Sequence, residues 1–551
     1  VTTMPSPFFS IVTPVYQPPT DVLRSMIESV RAQTFQDWEL ILVDDASPDP
    51  QVLATLRGAA ASDPRITVVA RPENGHIVAA SNDGVRAASG EFIVLVDHDD
   101  LITPRALQLM HAAIQAEPEA DYLYSDEDKI DVNGRRYDTF RKPDWSPERL
   151  RGQMYTSHLS VYRTELVRDV GGFRDGYDGS QDHDLALRVS ERARRVVHVP
   201  EVLYHWRVVQ GSAAGDSEAK PYAWLAGQRA VQDQLDRLGI EGTVHRGQVP
   251  GTYVVQRRLD PSVRVSVIIP TRGSGGLVWG RRRVFVVEAV RSLLARGGHD
   301  NLEIVVVHDT ATPLTVLEEL EALGAADLRL VPYDQPFNFS EKCNLGVTAS
   351  YGDVVVLLND DIEIESDDFL AQLCGPLAES DVGMTGTRLL FADTTVQHAG
   401  LVLDRRDMVH AFAGRRNDDP GPFAALLVNR ETSGLTAACV ALRRETFERV
   451  GGFSERLPAN FNDVDLSLKI GNEGLRQVWV ANAVAFHFES QTRVPVVHDW
   501  ERDLVLQRWH LPEQDRYLPF LKPVPSRTRR RSTMLVTSAD PARRRRRWRS
   551  R

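Results

Sequence analysis

The sequence predicts an α/β protein: two tandem copies of one domain with a mostly parallel sheet. Three observations predict it. Short apolar, β-branched runs such as FSIVTPV, ELILVD, EFIVLVD and VSVIIP read as buried parallel strands. Helical patterns such as VLRSMIESVRAQ (22–33) and VEAVRSLLAR (287–296) lie between them, and strand–helix alternation implies right-handed crossovers. The same ordered motifs then occur twice, in a chain of 551 residues that is too long for one core.

The repeat begins with Ser10-Ile-Val-Thr-Pro14 and Ser266-Val-Ile-Ile-Pro270. WELILVDDAS (38–47) matches LEIVVVHDTA (302–311), and SNDGVRAASGEFIVLVDHDD (81–100) matches CNLGVTASYGDVVVLLNDDI (343–362). VGGF recurs at 170–173 and 450–453, QDHDLALR (181–188) matches NDVDLSLK (462–469), and His205 pairs with His487. The reading places a first domain at 7–245, a linker at 246–261, a second domain at 262–515 and a basic tail at 516–551. A polar stretch, YSDEDKIDVNGRRYDTFRKPDWSPE (124–148), is expected to fold over a site.

The net charge of −11 argues against nucleic-acid binding. The sign flips in the tail, with RTRRR (527–531) and ARRRRRWRSR (542–551). Such a block reads as disordered, either a solvated tail or a peripheral contact to anionic lipid with Trp548 at the interface. Three cysteines without C-x-x-C spacing indicate neither a disulfide framework nor a zinc site. They fit a reducing cytosol. No apolar run approaches the roughly 20 residues that span a bilayer, and VTTMPSPFFS lacks the features of a signal peptide.

The chemistry lies at the strand ends, where open α/β sheets bind ligands. Asp44 and Asp45 follow ELILV, and Asp97-His98-Asp99-Asp100 follows EFIVLV. Clustered carboxylates repel unless a cation or donors hold them. Mg²⁺ or Mn²⁺ suits carboxylates combined with substrate phosphates. The plain alternative is helix N-capping, which the duplication at Asn359-Asp360-Asp361 disfavours. Asp182 and Asp463 are the candidate general bases, with Asp184 and Asp465 in caps or core hydrogen bonds. His205 and His487 are candidates for metal or diphosphate contacts, against the plainer reading of structural histidines.

Taken together, SIVTPVY, VDDAS, DHDD, GGF and QDHD resemble family-two glycosyltransferases of the GT-A fold, which is Rossmann-like. The second half is similar to bacterial O-antigen and rhamnan-type transferases through PFNFSEKCNLGV (336–347), LLNDDIEI (357–364), QHAGLVL (397–403), TAACVALRRETFERVGGF (436–453) and FNDVDLSLK (461–469). The resemblance implies inverting transfer from a UDP- or dTDP-linked sugar to a glycan acceptor, lipid-linked in one version, with Mn²⁺ or Mg²⁺ at the diphosphate. It implies nucleotide contacts for Pro14, Tyr16, Asp45 and Asp97, and for Pro270, Arg272, Asp309 and Asn359. It implies metal contacts for Asp99, His205, Asp361 and His487, and base roles for Asp182 and Asp463. The halves depart from each other at Asp44/His308, at Asp97/Asn359 and in TRGSGGLVWGRRRV after Pro270.

The expected function is therefore a bifunctional, metal-dependent glycosyltransferase of cell-surface polysaccharide, cytoplasmic or peripheral on the inner membrane. The alternative is one catalytic domain beside an inactive glycan-binding or scaffolding module. A dinucleotide-binding oxidoreductase is disfavoured, because no G-x-G-x-x-G follows either first strand.

Overall fold

A computed structural model describes residues 6–208, 221–405, 408–488, 498–519 and 521. The arginine blocks at 527–531 and 542–551, with Trp548, lie outside the described residues. The chain divides into two compact units, Val1–Val255 and Gln256–Arg551.

In unit one the main path of the sheet is formed by β1 (Phe9–Val15), β2 (Trp38–Asp44), β3 (Ile66–Ala70), β4 (Phe92–Leu95), β5 (Leu101–Ile102), β6 (Ala120–Ile130), β7 (Ser160–Arg163) and β8 (Arg195–Arg207), with Arg136–Phe140 paired to β6 off that path. They lie in the order β3-β2-β1-β4-β7-β6-β8-β5. The first four are mutually parallel; β7 and β5 run against their neighbours. In unit two the main path is formed by β9 (Val265–Thr271), β10 (Leu302–Asp309), β11 (Leu328–Tyr333), β12 (Val354–Leu358), β13 (Ile362–Ile364), β14 (Val382–Leu390), β15 (Cys439–Arg443) and β16 (Arg476–His487), with Val396–His398 and Arg430–Glu431 paired to β14 and β16 off that path. Their order is β11-β10-β9-β12-β15-β14-β16-β13, the same topology shifted by eight. Apolar runs on the inner strands are buried on both faces, as in Ile11, Leu40, Val94, Val267, Val306 and Val356.

The repeated motifs outside the acids are structural. Helix α1 (His76–Ala87) of unit one presents Gly84, where a Cβ would stand 2.4 Å from Val12 Cγ1. Only glycine lets that helix approach β1. Asn82 exchanges two 2.9 Å hydrogen bonds with the backbone of Phe173 in the first VGGF. Unit two repeats this arrangement on its helix Phe339–Thr348. There a Cβ on Gly346 would stand 2.3 Å from Ile268 Cγ2, and Asn344 bonds the backbone of Phe453 at 3.0 and 3.1 Å. Ser10 and Ser266 likewise tie Glu39 to Gly90 and Glu303 to Gly352.

Two stretches differ from expectation. The polar run 124–148 does not simply cover a site. Its first third is the end of β6, a strand inside the sheet, with Asp126 1% and Glu127 8% exposed. The charge is tolerated because Lys142, fully buried, donates to Glu127 at 2.9 Å. The stretch read as a linker contains Tyr253–Arg257, which pairs with Gly242–Arg246 in a two-stranded ribbon. The three cysteines are free and buried. Among the described residues, no helix is long and apolar enough to cross a membrane.

Candidate functional site

In unit two, six of the expected residues line one cavity of about 330 Å³: Pro270, Arg272, Asn359, Asp361, Asp463 and His487. Asp309, the remaining one, pairs with two cavity residues, Lys342 at 2.7 Å and Arg272 at 3.2 Å. Lys342 was not singled out from sequence. It is buried, and its ammonium also donates to Thr271 O at 2.6 Å. In unit one the corresponding Asp45 takes its cation from Arg71, beyond the end of β3, and a further bond from Gly75 N at 2.9 Å. The same counter-charge therefore arrives from different elements, which hides it from a motif match.

His487 Nε2 stands 3.1 Å from Asp361 Oδ1, and its Nδ1 is bonded to Gln397 Oε1 at 2.7 Å. Asn359 Nδ2 lies 3.3 Å from the same Nε2. A carboxylate oxygen and an imidazole nitrogen this close need a proton or a cation between them. Adjacent ligands of an octahedral ion with bonds of about 2.1 Å lie about 3 Å apart, so the pair fits a divalent metal. Next to it, burial and the charge of Asp361 raise the Asp360 carboxyl to about 7, against the 2.6 Å bond from Thr271.

Unit one collects a different set. Ligand atoms of Asp97, Asp100 and His158 lie within 4.8 Å of one another. His158 Nε2 is 3.7 Å from Asp97, its Nδ1 is 3.4 Å from Glu127, and its ring stacks on Tyr204 at 4.5 Å. Burial alone would lower its pKa; the bonds to Asp97 and Glu127 raise it to about 10. Asp100 is anchored by Tyr204 Oη at 2.5 Å and Arg207 N at 2.7 Å. Asp99 is half-buried, and desolvation raises its carboxyl. Tyr16 is 46% exposed, and Pro14 O is bonded to His98 Nδ1 at 3.1 Å.

His205, read as the counterpart of His487, does not join this group. Its Nδ1 bonds Asp128 at 2.5 Å, and its Nε2 is buried without a hydrogen-bond partner. Strand register gives the reason. Leu101 pairs with His205 and Ile102 with Tyr204, whereas Ile362 pairs with His487 and Glu363 with Phe486. With Asp99 matched to Asp361, Leu101 matches Glu363, so His205 falls on Phe486 and His487 on Trp206. One residue along a strand is the opposite face. Unit one instead brings an imidazole to its acids from His158, where unit two has Ala438.

Asp182 and Asp463 occupy the first turn of matching helices, Gln181–Ser190 and Asn462–Asn472. Burial raises the Asp182 carboxyl, with the His183 backbone N–H and His158 opposing. Asp184 is fully buried and bonded to Arg174 and Arg188 at 3.0 and 2.9 Å. Asp465 is held by Arg508 and Trp509 at 3.1 and 2.9 Å. In each pair the second acid is committed to structure.

The Glycosyl transferase family 2 domain matches residues 10–171 and again 266–451. The chain belongs to that family. It carries two family 2 regions, one in each unit. It is 40% identical over 495 residues to an uncharacterized Sinorhizobium fredii protein, y4gI, covering 88% of this chain and 54% of that one. It is 35% identical over 521 residues to the O-antigen biosynthesis protein RfbC of Myxococcus xanthus, covering 93% of this chain and 40% of that one. The chain thus spans about half the length, or less, of these curated relatives. A crystal structure of S. aureus TarS residues 1–349 aligns with a TM-score of 0.34 and 21% identity over 41% of this chain and 65% of that one.

Proposed function

We propose that both units are active and that the chain adds two sugars from UDP- or dTDP-linked donors to a growing cell-surface polysaccharide. The domains read at 7–245 and 262–515 would be the two catalytic bodies, working at the cytoplasmic face on a lipid-linked acceptor. The observation that carries this reading is that each unit sets carboxylates and an imidazole beyond the carboxyl end of its fourth strand, β4 or β12, the imidazole coming from a different element in each. Similarity to an O-antigen biosynthesis protein supports the polysaccharide.

In unit two Asp361 and His487 would hold Mn²⁺ or Mg²⁺; in unit one the matching acid, Asp99, would, with Asp97 on the nucleotide side. When bound, the ion neutralises charge on the leaving diphosphate. The protein's own groups do the rest. Asp182 and Asp463 accept the proton of the acceptor hydroxyl as it attacks the anomeric carbon from the face opposite the nucleotide. Asp45 and Asp309, each fixed by a cation, present carboxylates to the nucleoside. Pro14, Tyr16, Pro270 and Arg272 flank it.

The test is a panel of UDP- and dTDP-sugars assayed for nucleotide release with a lipid-linked acceptor, with Mn²⁺ or with EDTA. The reading predicts release from two donors, or two linkages from one donor, abolished by EDTA. EDTA-resistant transfer would reject the metal assignment. One donor and one linkage would favour a catalytic unit beside a binding module.

A further inference from the structure

The strand Val396–His398 carries Gln397 and His398 side by side. Gln397 clamps His487, as described. His398 does the same to a second imidazole of the cavity. It is buried at 1% exposure, and its Nε2 accepts from Gly400 N at 3.2 Å and Thr436 N at 3.4 Å. A nitrogen that accepts carries no proton, so in the neutral ring the proton is on Nδ1. Burial, with His410 and Arg430 nearby, keeps that ring neutral. Its Nδ1 lies 3.0 Å from Nδ1 of His410, so His398 donates and His410 accepts. His410 must then carry its own proton on Nε2, the far side of its ring. His410 is exposed and lines the same cavity as Asp361, Asp463 and His487.

We propose that His410 is a substrate-contacting residue of unit two, its Nε2–H donated to an oxygen of the bound substrates, and that His398 is the positioning residue that fixes its tautomer. The oxygen belongs to the diphosphate or to a carbohydrate hydroxyl; both accept the same bond. The two adjacent residues thus set two imidazoles in opposite senses, a lone pair toward Asp361 at His487 and a donor at His410. This rests on the reading of the cavity as a transfer site.

The test uses the full chain carrying Asp182→Asn, so that turnover comes from unit two alone and binding is read as a change at one of two sites. His410→Phe, His410→Gln, His398→Phe and the double His398→Phe/His410→Phe are compared. Binding of Mn²⁺ with UDP, dTDP and a panel of their sugars is measured by calorimetry, turnover by nucleotide release, and folding by thermal melting. Glutamine places an N–H close to where Nε2–H stands. Loss of one substrate hydrogen bond predicts a drop of about 10- to 100-fold in kcat/KM for His410→Phe. His410→Gln should stay within a few-fold of the parent. The double variant should be no worse than His410→Phe, because both changes remove one bond. Weaker UDP or dTDP binding assigns the oxygen to the diphosphate; unchanged binding with a raised KM for sugar donor or acceptor assigns it to a hydroxyl. A His410→Phe chain equal to the parent, a glutamine variant as damaged as phenylalanine, or additive single effects would overturn the proposal. Asp361→Ala separates the two readings. If it abolishes one of the two Mn²⁺-dependent binding events while His410→Phe does nothing, only this inference fails. If Asp361→Ala is silent, or the parent binds none of the panel, the site reading fails and takes this one with it.

Discussion

Gln397 Oε1 accepts from Nδ1 of His487 at 2.7 Å, on the side of the ring away from Asp361. The hydrogen bond fixes which nitrogen faces the acid. A partner that orients a metal-ligating histidine is worth about 10- to 100-fold in metal affinity. Gln397→Leu should therefore weaken Mn²⁺ by that factor at one of two sites, read by titration of the full chain. Unchanged affinity would mean that His487 is not a ligand.

Asp182 leads to a pH prediction. A base works only when deprotonated, and burial raises this carboxyl above its ordinary range. Unit-one turnover should fall off as pH drops through that raised value, above the point at which a free aspartate would titrate. His158→Ala removes a cation whose field lowers the Asp182 pKa, so the acid limb should move to still higher pH. A limb that stays in place in the variant would count against Asp182 as the base.

Glycine at the helix–strand contact gives a stability prediction. Gly84→Ala and Gly346→Ala each put a methyl within 2.4 and 2.3 Å of a β1 or β9 side chain. Overpacking costs about 1–3 kcal/mol, against about 1 kcal/mol gained from helix propensity. Each variant should melt lower. A rise in Tm would show that the contact relaxes freely.

Much of this architecture was legible in the sequence because repeated motifs mark repeated contacts. Asn82 and Phe173, or Asn344 and Phe453, are far apart in sequence yet tied by backbone bonds, so both ends recur together. The strand-end acids were legible for the same reason. What was hidden is where each unit solved a shared need differently. Lys342 and Arg71 supply one counter-charge from unrelated positions. His158 lies in SHLSVYR with nothing like it at Ala438. The His205–His487 match looked sound in sequence, but a one-residue difference in register turns one of them to the other face. The spacing carried its trace: Asp182 to His205 is 23 residues, whereas Asp463 to His487 is 24.

Asp121 supplies an acid-stability prediction. Burial alone would raise its pKa, but bonds from Arg194 at 2.6 Å and Arg163 at 2.6 Å hold it down to about 2. A depressed folded pKa gives stability that is complete above the unfolded value of about 3.9 and is lost as pH falls toward 2. Because Arg194 is exposed, the contribution is discounted to about 1 kcal/mol. Asp121→Asn should lower Tm at pH 7 and flatten the decline of Tm below pH 4. An unchanged acid profile would remove Asp121 from the account.

The central claim is that two sites act in one chain. The most direct measurement is mass analysis of the glycan products made by the parent, by Asp182→Asn and by Asp463→Asn on the same lipid-linked acceptor. Two active units predict that each variant stops a different addition, giving two distinct truncated products. If one variant makes the same product as the parent, its unit is not catalytic and the account of two sites is wrong.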